Sequence, residues 1–172
     1  MTMRFALAAL AALMLTTPVA SETLVDAYGL GNHKPVPEEW TKIDEELSIR
    51  ARIVKGKKGS LAPVVQAGQT LTLDLAFYVQ PGAKDRPIRL TCSVFFYDAR
   101  GEGSDEVLTD EPCYEGRLHD GLEQFQPLDL NFRFKPRASD PKGTSAVVVR
   151  VKDTVIGDGV ALAPTYNWQG GR

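Results

Sequence analysis

The sequence predicts an all-β protein, an immunoglobulin-like antiparallel sandwich of two sheets, with a small open β-barrel as the alternative closure. Three observations carry that expectation. Apolar and polar residues alternate with a period of two in five separate stretches, the pattern of strands with one buried and one wet face. Turn-forming Gly, Pro and Asp residues separate those stretches. Nothing of helical period lies between consecutive strands, which disfavours a parallel α/β sheet.

The chain opens with a different pattern. Arg4 is followed by an unbroken apolar run from Phe5 to Leu15 and then by Thr16, Thr17, Pro18, Val19 and Ala20. A charge, a short apolar core and a small-residue exit describe a secretory signal peptide. The run is shorter than the roughly 20 apolar residues that span a bilayer as a helix. Residues 1–20 are therefore expected to be removed, with cleavage after Ala20 or Ser21. The mature chain is expected in the periplasm if the source is a Gram-negative bacterium, and otherwise secreted.

Next comes a segment, 21–45, that reads as extended with one short helix. Pro37 suits a first helical turn, Glu38 and Glu39 suit a helix N-terminus, and Trp40, Ile43 and Leu47 would share one face. The sandwich domain is expected over 46–163. In its first strand Leu47, Ile49, Ala51 and Ile53 alternate with Ser48, Arg50 and Arg52. In the second, Leu71, Leu73, Leu75, Phe77 and Val79 do so, and Pro81-Gly82 ends it as a turn. Ile88, Leu90, Cys92, Val94 and Phe96 form the third. Leu128, Leu130, Phe132 and Phe134 form the fourth, closed by Pro136. Val147, Val149 and Val151 form the fifth, after Asp140-Pro141-Lys142-Gly143. Weaker strands are expected at 60–65, 106–108, 114–118 and 159–162. Residues 164–172 read as a C-terminal tail.

Composition excludes several function classes. The 20 basic and 22 acidic side chains give −2, and loss of Arg4 with the leader makes the mature chain −3. That balance offers no basic excess for nucleic acid and no polybasic patch for a membrane surface. All three methionines, Met1, Met3 and Met14, lie in the leader, so the mature chain has no thioether for copper. Its two histidines, His33 and His119, stand far apart. No cofactor is expected.

Two cysteines remain, Cys92 and Cys113. In an oxidising compartment they are expected to form one disulfide. It would contribute about 3 kcal/mol by restricting the unfolded chain. The C-x-x-C spacing of a redox pair is absent. Neither Trp40 nor Trp168 lies between the cysteines, so the immunoglobulin Cys…Trp…Cys arrangement is absent.

Two constellations are candidates for a site. Tyr78, Phe95 and Tyr97 face away from the core side of their strands, and neighbouring strands would gather them into an aromatic binding platform. The acidic stretch from Asp98 to Glu115 offers Asp98, Glu102, Asp105 and Glu106 as weak calcium ligands, without the spacing of an EF-hand. No catalytic residues are predicted. Gly101-Glu102-Gly103-Ser104 is not a nucleophile elbow, and His119 and Asp120 are adjacent, so their side chains diverge on a strand. The expected function is binding, to another cell-envelope protein. The alternatives are a small-ligand, carbohydrate or calcium module and, last, a small hydrolase.

Overall fold

A computed structural model describes residues 39–55, 60–61, 64–103 and 107–170. They are all-β, with no helix among them, and form two sheets that do not close into a barrel. The expected signal peptide and Pro37 lie outside the described residues. No helix among the described residues is long and apolar enough to cross a membrane.

The first sheet holds β1 (Glu39–Lys42), β2 (Leu47–Lys55), β3 (Ser60–Leu61), β5 (Leu71–Val79), β8 (Gln126–Pro127) and β9 (Phe132–Phe134), in the order β1-β2-β5-β8. Here β3 also pairs with β2, and β9 with β5. The second holds β4 (Val64–Val65), β6 (Arg86–Tyr97), β7 (Leu108–Leu118), β10 (Gly143–Asp153), β11 (Asp158–Leu162) and β12 (Thr165–Trp168), in the order β4-β12-β10-β6-β7. In this sheet β11 also pairs with β10. All pairings are antiparallel except β4 with β12. The alternation read from β2, β5, β6 and β10 holds, because Leu47, Ile49, Leu73, Leu75, Leu90, Val94, Val147 and Val149 meet in one core. The outer faces are drier than alternation alone implies, since Ser48, Ala76, Ser93 and Val148 are buried as well. Each stands opposite a larger side chain, respectively Tyr78, Arg50, Arg150 and Phe95, a large-with-small pairing that shields the smaller partner.

The helix expected across Trp40, Ile43 and Leu47 is absent, and β1 occupies its start. Asp44 is the reason. Its carboxylate accepts the N–H groups of Glu46 at 2.8 Å and Leu47 at 2.7 Å, and Ile43 donates forward to the Leu47 carbonyl at 2.9 Å. That is a hairpin turn, not a helical ladder. The strand expected over 128–134 is split. Pro127 pairs with Ala76 and Phe132 with Leu73, so the four residues 128–131 stand opposite Asp74 and Leu75 alone. An insertion of two preserves the in-and-out phase, which is why Leu128 is still buried and Phe132 still packs on the core.

Residues 165–168, expected in a tail, are an inner strand with Trp168 fully buried. Pro164 does not interrupt the pairing, since its carbonyl accepts the Val147 N–H at 3.0 Å and it needs no donor there.

The sheets are tied at both ends. At one end Arg86, where β6 begins, donates to Asp153 at 2.9 Å, lies 3.4 Å from Glu46, and pairs with Asp44. Asp153 is fully buried and also accepts the Val155 N–H at 2.9 Å. Burial opposes the charge on Arg86, but the bond to Asp153 and the charges of Asp44 and Asp153 outweigh it and raise the guanidinium pKa. At the other end Phe96 of the second sheet lies 4.8 Å from Phe134 and 5.9 Å from Phe132 of the first. Phe134 in turn lies 5.7 Å from Tyr166.

Replacing Arg86 by Leu leaves Asp153 buried without its cation. Urea unfolding should show a loss of about 3 kcal/mol or more, partly recovered in R86L/D153N. At the aromatic end, burial pushes the Tyr166 hydroxyl up to about 12, against a lesser lowering by its bond to Ser145. The neutral form is thus favoured by folding. That contribution is complete below the ordinary value of 10.0 and is lost as pH rises from there to about 12. A phenolate absorbance titration of the five tyrosines should show a last step at about 12. Tyr166→Phe should remove it.

Candidate functional site

The three outward aromatics do not form one platform. Tyr78 lies on β5 of the first sheet, and Phe95 and Tyr97 lie on β6 of the second. These strands are not neighbours: β5 pairs with β2, β8 and β9, whereas β6 pairs with β7 and β10. Tyr78 packs 5.4 Å from Phe125, and the Arg50 guanidinium lies 4.5 Å over the Phe125 ring. Phe95 has the Arg150 guanidinium 5.6 Å over its ring. Tyr97 bridges to Gly103, close enough that a Cβ on Gly103 would stand 3.3 Å from the Tyr97 ring.

Of the acidic candidates, Asp105 and Glu106 lie outside the described residues. Asp98 closes a turn. Its carboxylate accepts the N–H groups of Arg100 at 2.8 Å and Glu102 at 3.0 Å. Burial acts to raise its pKa, but those two bonds and the Arg100 guanidinium lower it overall. Glu102 pairs with the same guanidinium at 2.8 Å. Both carboxylates are thus engaged by Arg100, and no group of three or more potential metal ligands occurs among the described residues.

Cys92 and Cys113 form the expected disulfide, with Cα atoms 5.9 Å apart. It joins β6 to β7 within one sheet, unlike the bridge between sheets of an immunoglobulin domain. Cys113 sits at a β-bulge, because Leu90 pairs with Tyr114 while Thr91 pairs with Pro112. A second irregularity follows at Asp110, whose φ of 45° is left-handed. Asp110 tolerates it by trading hydrogen bonds with Ser93: its N–H donates to the Ser93 hydroxyl at 2.9 Å, which donates back to its carboxylate at 3.2 Å.

The bulge at Cys113 points to a different site. Its carbonyl accepts the Asp129 N–H at 3.0 Å, across to the inserted residues 128–131 of the other sheet. Around that contact the sandwich opens into two adjoining hollows that share Pro127 and Asp129. One, of about 730 Å³, follows the insertion past Leu73, Leu128 and Leu130 to Arg133. The other, of about 470 Å³, lies beneath the crossover from β7 to β8. Its floor is Phe77, Val79 and Tyr114, its cover is Leu122, and its rim carries Arg117, His119 and Asp120. The Phe77 and Tyr114 rings meet across the two sheets, with centroids 4.5 Å apart and planes tilted by 51°.

Two glycines shape this second hollow. A Cβ on Gly121 would stand 2.5 Å from the Pro81 Cα, so only glycine lets the crossover lie on that turn. Leu122 is then held by its N–H to the Val79 carbonyl at 3.0 Å. A Cβ on Gly116 would stand 2.6 Å from the Tyr114 hydroxyl oxygen, so Tyr114 lies over Gly116. The sequence offered Tyr114 only as part of a weak strand. The Gly-Leu at 121–122 and the small residue two places after Tyr114 were the available signals.

No family model and no curated protein matches the chain. Among solved structures, a family 123 glycoside hydrolase from Clostridium perfringens is similar over 77% of this chain and 27% of its own, with 11% identity and a TM-score of 0.42. The chain spans about a quarter of that protein's length. At that distance the likeness says nothing of this chain's activity.

In an open strand, Gly→Ala stabilises by removing unfolded-chain freedom. Gly116→Ala should instead destabilise by about 1 kcal/mol in urea unfolding, by displacing Tyr114 from Phe77. In a Tyr114→Ala background the same change should turn stabilising.

Proposed function

We propose that the protein is an exported, non-catalytic domain that works by binding another cell-envelope protein along the groove formed by the two hollows. The observation that carries this reading is the interrupted edge of the first sheet. There β8 and β9 contribute only two and three paired residues, and a hollow walled by Leu130, Asn131 and Arg133 lies beside them. A broken edge next to an elongated hollow suits an extended segment of a partner, which takes backbone hydrogen bonds from the edge and seats side chains in the hollows. The groove's imidazole, His119, is solvent-exposed and lies 3.4 Å from Asp85, which makes no buried acid–base pair. Export is supported by the leader pattern and by the disulfide, which favours an oxidising compartment.

A photocrosslinking residue at Asn131, in the groove, should capture one stoichiometric partner in the envelope. The same residue at Lys152, on the outer face of β10, should not. Leu130→Arg should abolish the capture while leaving the protein folded. Equal capture from both positions, or none from Asn131, would refute the reading.

A further inference from the structure

The β10–β11 hairpin carries an Asp-Gly pair, Asp158 and Gly159, both exposed where β11 begins. Thr154 donates its N–H to the Arg89 carbonyl of β6 at 2.8 Å. Backbone groups alternate sides along a strand, so those of Lys152 also point to β6. Gly159 stands opposite Lys152 and therefore turns its own N–H away from β10. Among the described residues β11 pairs with β10 alone, so no second strand takes that N–H. The Asp158 carboxylate takes it instead, with Oδ1 2.8 Å from the Gly159 nitrogen. The carboxyl carbon, one bond beyond Oδ1, is thus held beside the nitrogen of the next residue, close to a reactive approach. A Cβ on Gly159 would stand 2.8 Å from the Val151 carbonyl oxygen, so the strand requires glycine there. Glycine also leaves the nitrogen unshielded.

The chemistry open to this arrangement needs only water. The Gly159 nitrogen gives up its proton to water and bonds to Cγ of the protonated Asp158 carboxyl. The Cγ–OH bond breaks, water leaves, and a succinimide ring closes. Water then adds to one of the two ring carbonyls. Addition at Cγ restores aspartate. Addition at the main-chain carbonyl gives isoaspartate, whose backbone runs through Cβ and Cγ. One water is lost and one is gained.

The chain has one other Asp-Gly pair, Asp120 and Gly121. There a Cβ on Gly121 would stand 2.5 Å from the Pro81 Cα, and Leu122 is tied to the Val79 carbonyl at 3.0 Å. Ring closure has to swing the glycine nitrogen toward the aspartate side chain, and that packing resists the swing.

We propose that Asp158 is a site of spontaneous covalent modification, forming isoaspartate through a succinimide with Gly159, and that the change loosens the Arg86 corner. Asp158 stands directly opposite Asp153, the buried carboxylate that binds Arg86. An extra backbone methylene there disturbs the pair that closes the hairpin. The inference is independent of the binding reading.

The test is incubation of the folded mature protein for weeks in heavy-oxygen water at mildly acidic pH, followed by peptide mapping. The peptide holding Asp158 should gain a single heavy oxygen and split into two isomers. The peptide holding Asp120 should react at least about tenfold more slowly. In concentrated urea the two should react at similar rates, because the fold sets the difference. D158E, which would need a larger ring, should take no label at this position. The converted fraction should unfold at lower urea than the unconverted one. Absence of label at Asp158, equal rates at the two sites in the folded protein, or a difference that persists in urea would overturn the proposal. An unchanged urea midpoint of the converted fraction would overturn the link to Arg86.

Discussion

One guanidinium organises the end of the sandwich that carries the groove. Arg86 meets carboxylates from three places in the chain: Asp44 and Glu46 from the β1–β2 turn, and Asp153 from the end of β10. Asp153 is fully buried, so it is tolerable as an anion only while the cation stays. The arrangement fixes the two sheets relative to each other. It also fixes the β10–β11 turn, whose Val155 N–H bonds to the same Asp153. Across β6 and β7, Arg86 stands opposite Leu118, the residue before the crossover that covers the smaller hollow. The first sheet closes the same corner, because Gln80, at the end of β5, donates to the Glu46 carbonyl at 2.8 Å. The hollow therefore adjoins a corner held by ion pairs and backbone hydrogen bonds from both sheets.

What the sequence made legible follows from what its local pattern encodes. Alternation marks which residues face inward, and β2, β5, β6 and β10 were read correctly for that reason. It survives the insertion at 128–131 because two extra residues restore the phase. It fails on β7, where two irregularities, at Cys113 and near Asp110, scramble the phase of an eleven-residue strand. It fails at Pro164 for another reason: proline reads as a stop, yet a strand position that needs only its carbonyl accepts it. The helix misreading came from Trp40, Ile43 and Leu47, whose spacing matches a helical face, while Asp44 between them closes a turn.

The site was harder to read because it depends on which strands become neighbours. Tyr78, Phe95 and Tyr97 were correctly placed off the core side of their strands. Their joint role required a pairing that alternation does not encode, and the pairing puts them on different sheets. The reverse holds for the groove. Phe77, Tyr114 and Asp129 come from three distant stretches and read singly as core, weak strand and polar strand face. Only the register shift at 128–131 and the bulge at Cys113 bring them to one hollow.

The disulfide takes a more local meaning from this geometry. A bridge between neighbouring strands of one sheet adds little to a ladder that already aligns them, and its general stabilisation acts on the unfolded chain. Its position matters more. Cys113 is the bulged residue of the first of the two irregularities on β7, a point where no partner on β6 fixes the backbone. The bond to Cys92 supplies that restraint, and the freed carbonyl of Cys113 receives the Asp129 N–H from the opposite sheet. The bridge thus holds the strand at a break in its ladder. Through one hydrogen bond it also positions the carboxylate-bearing wall that the two hollows share.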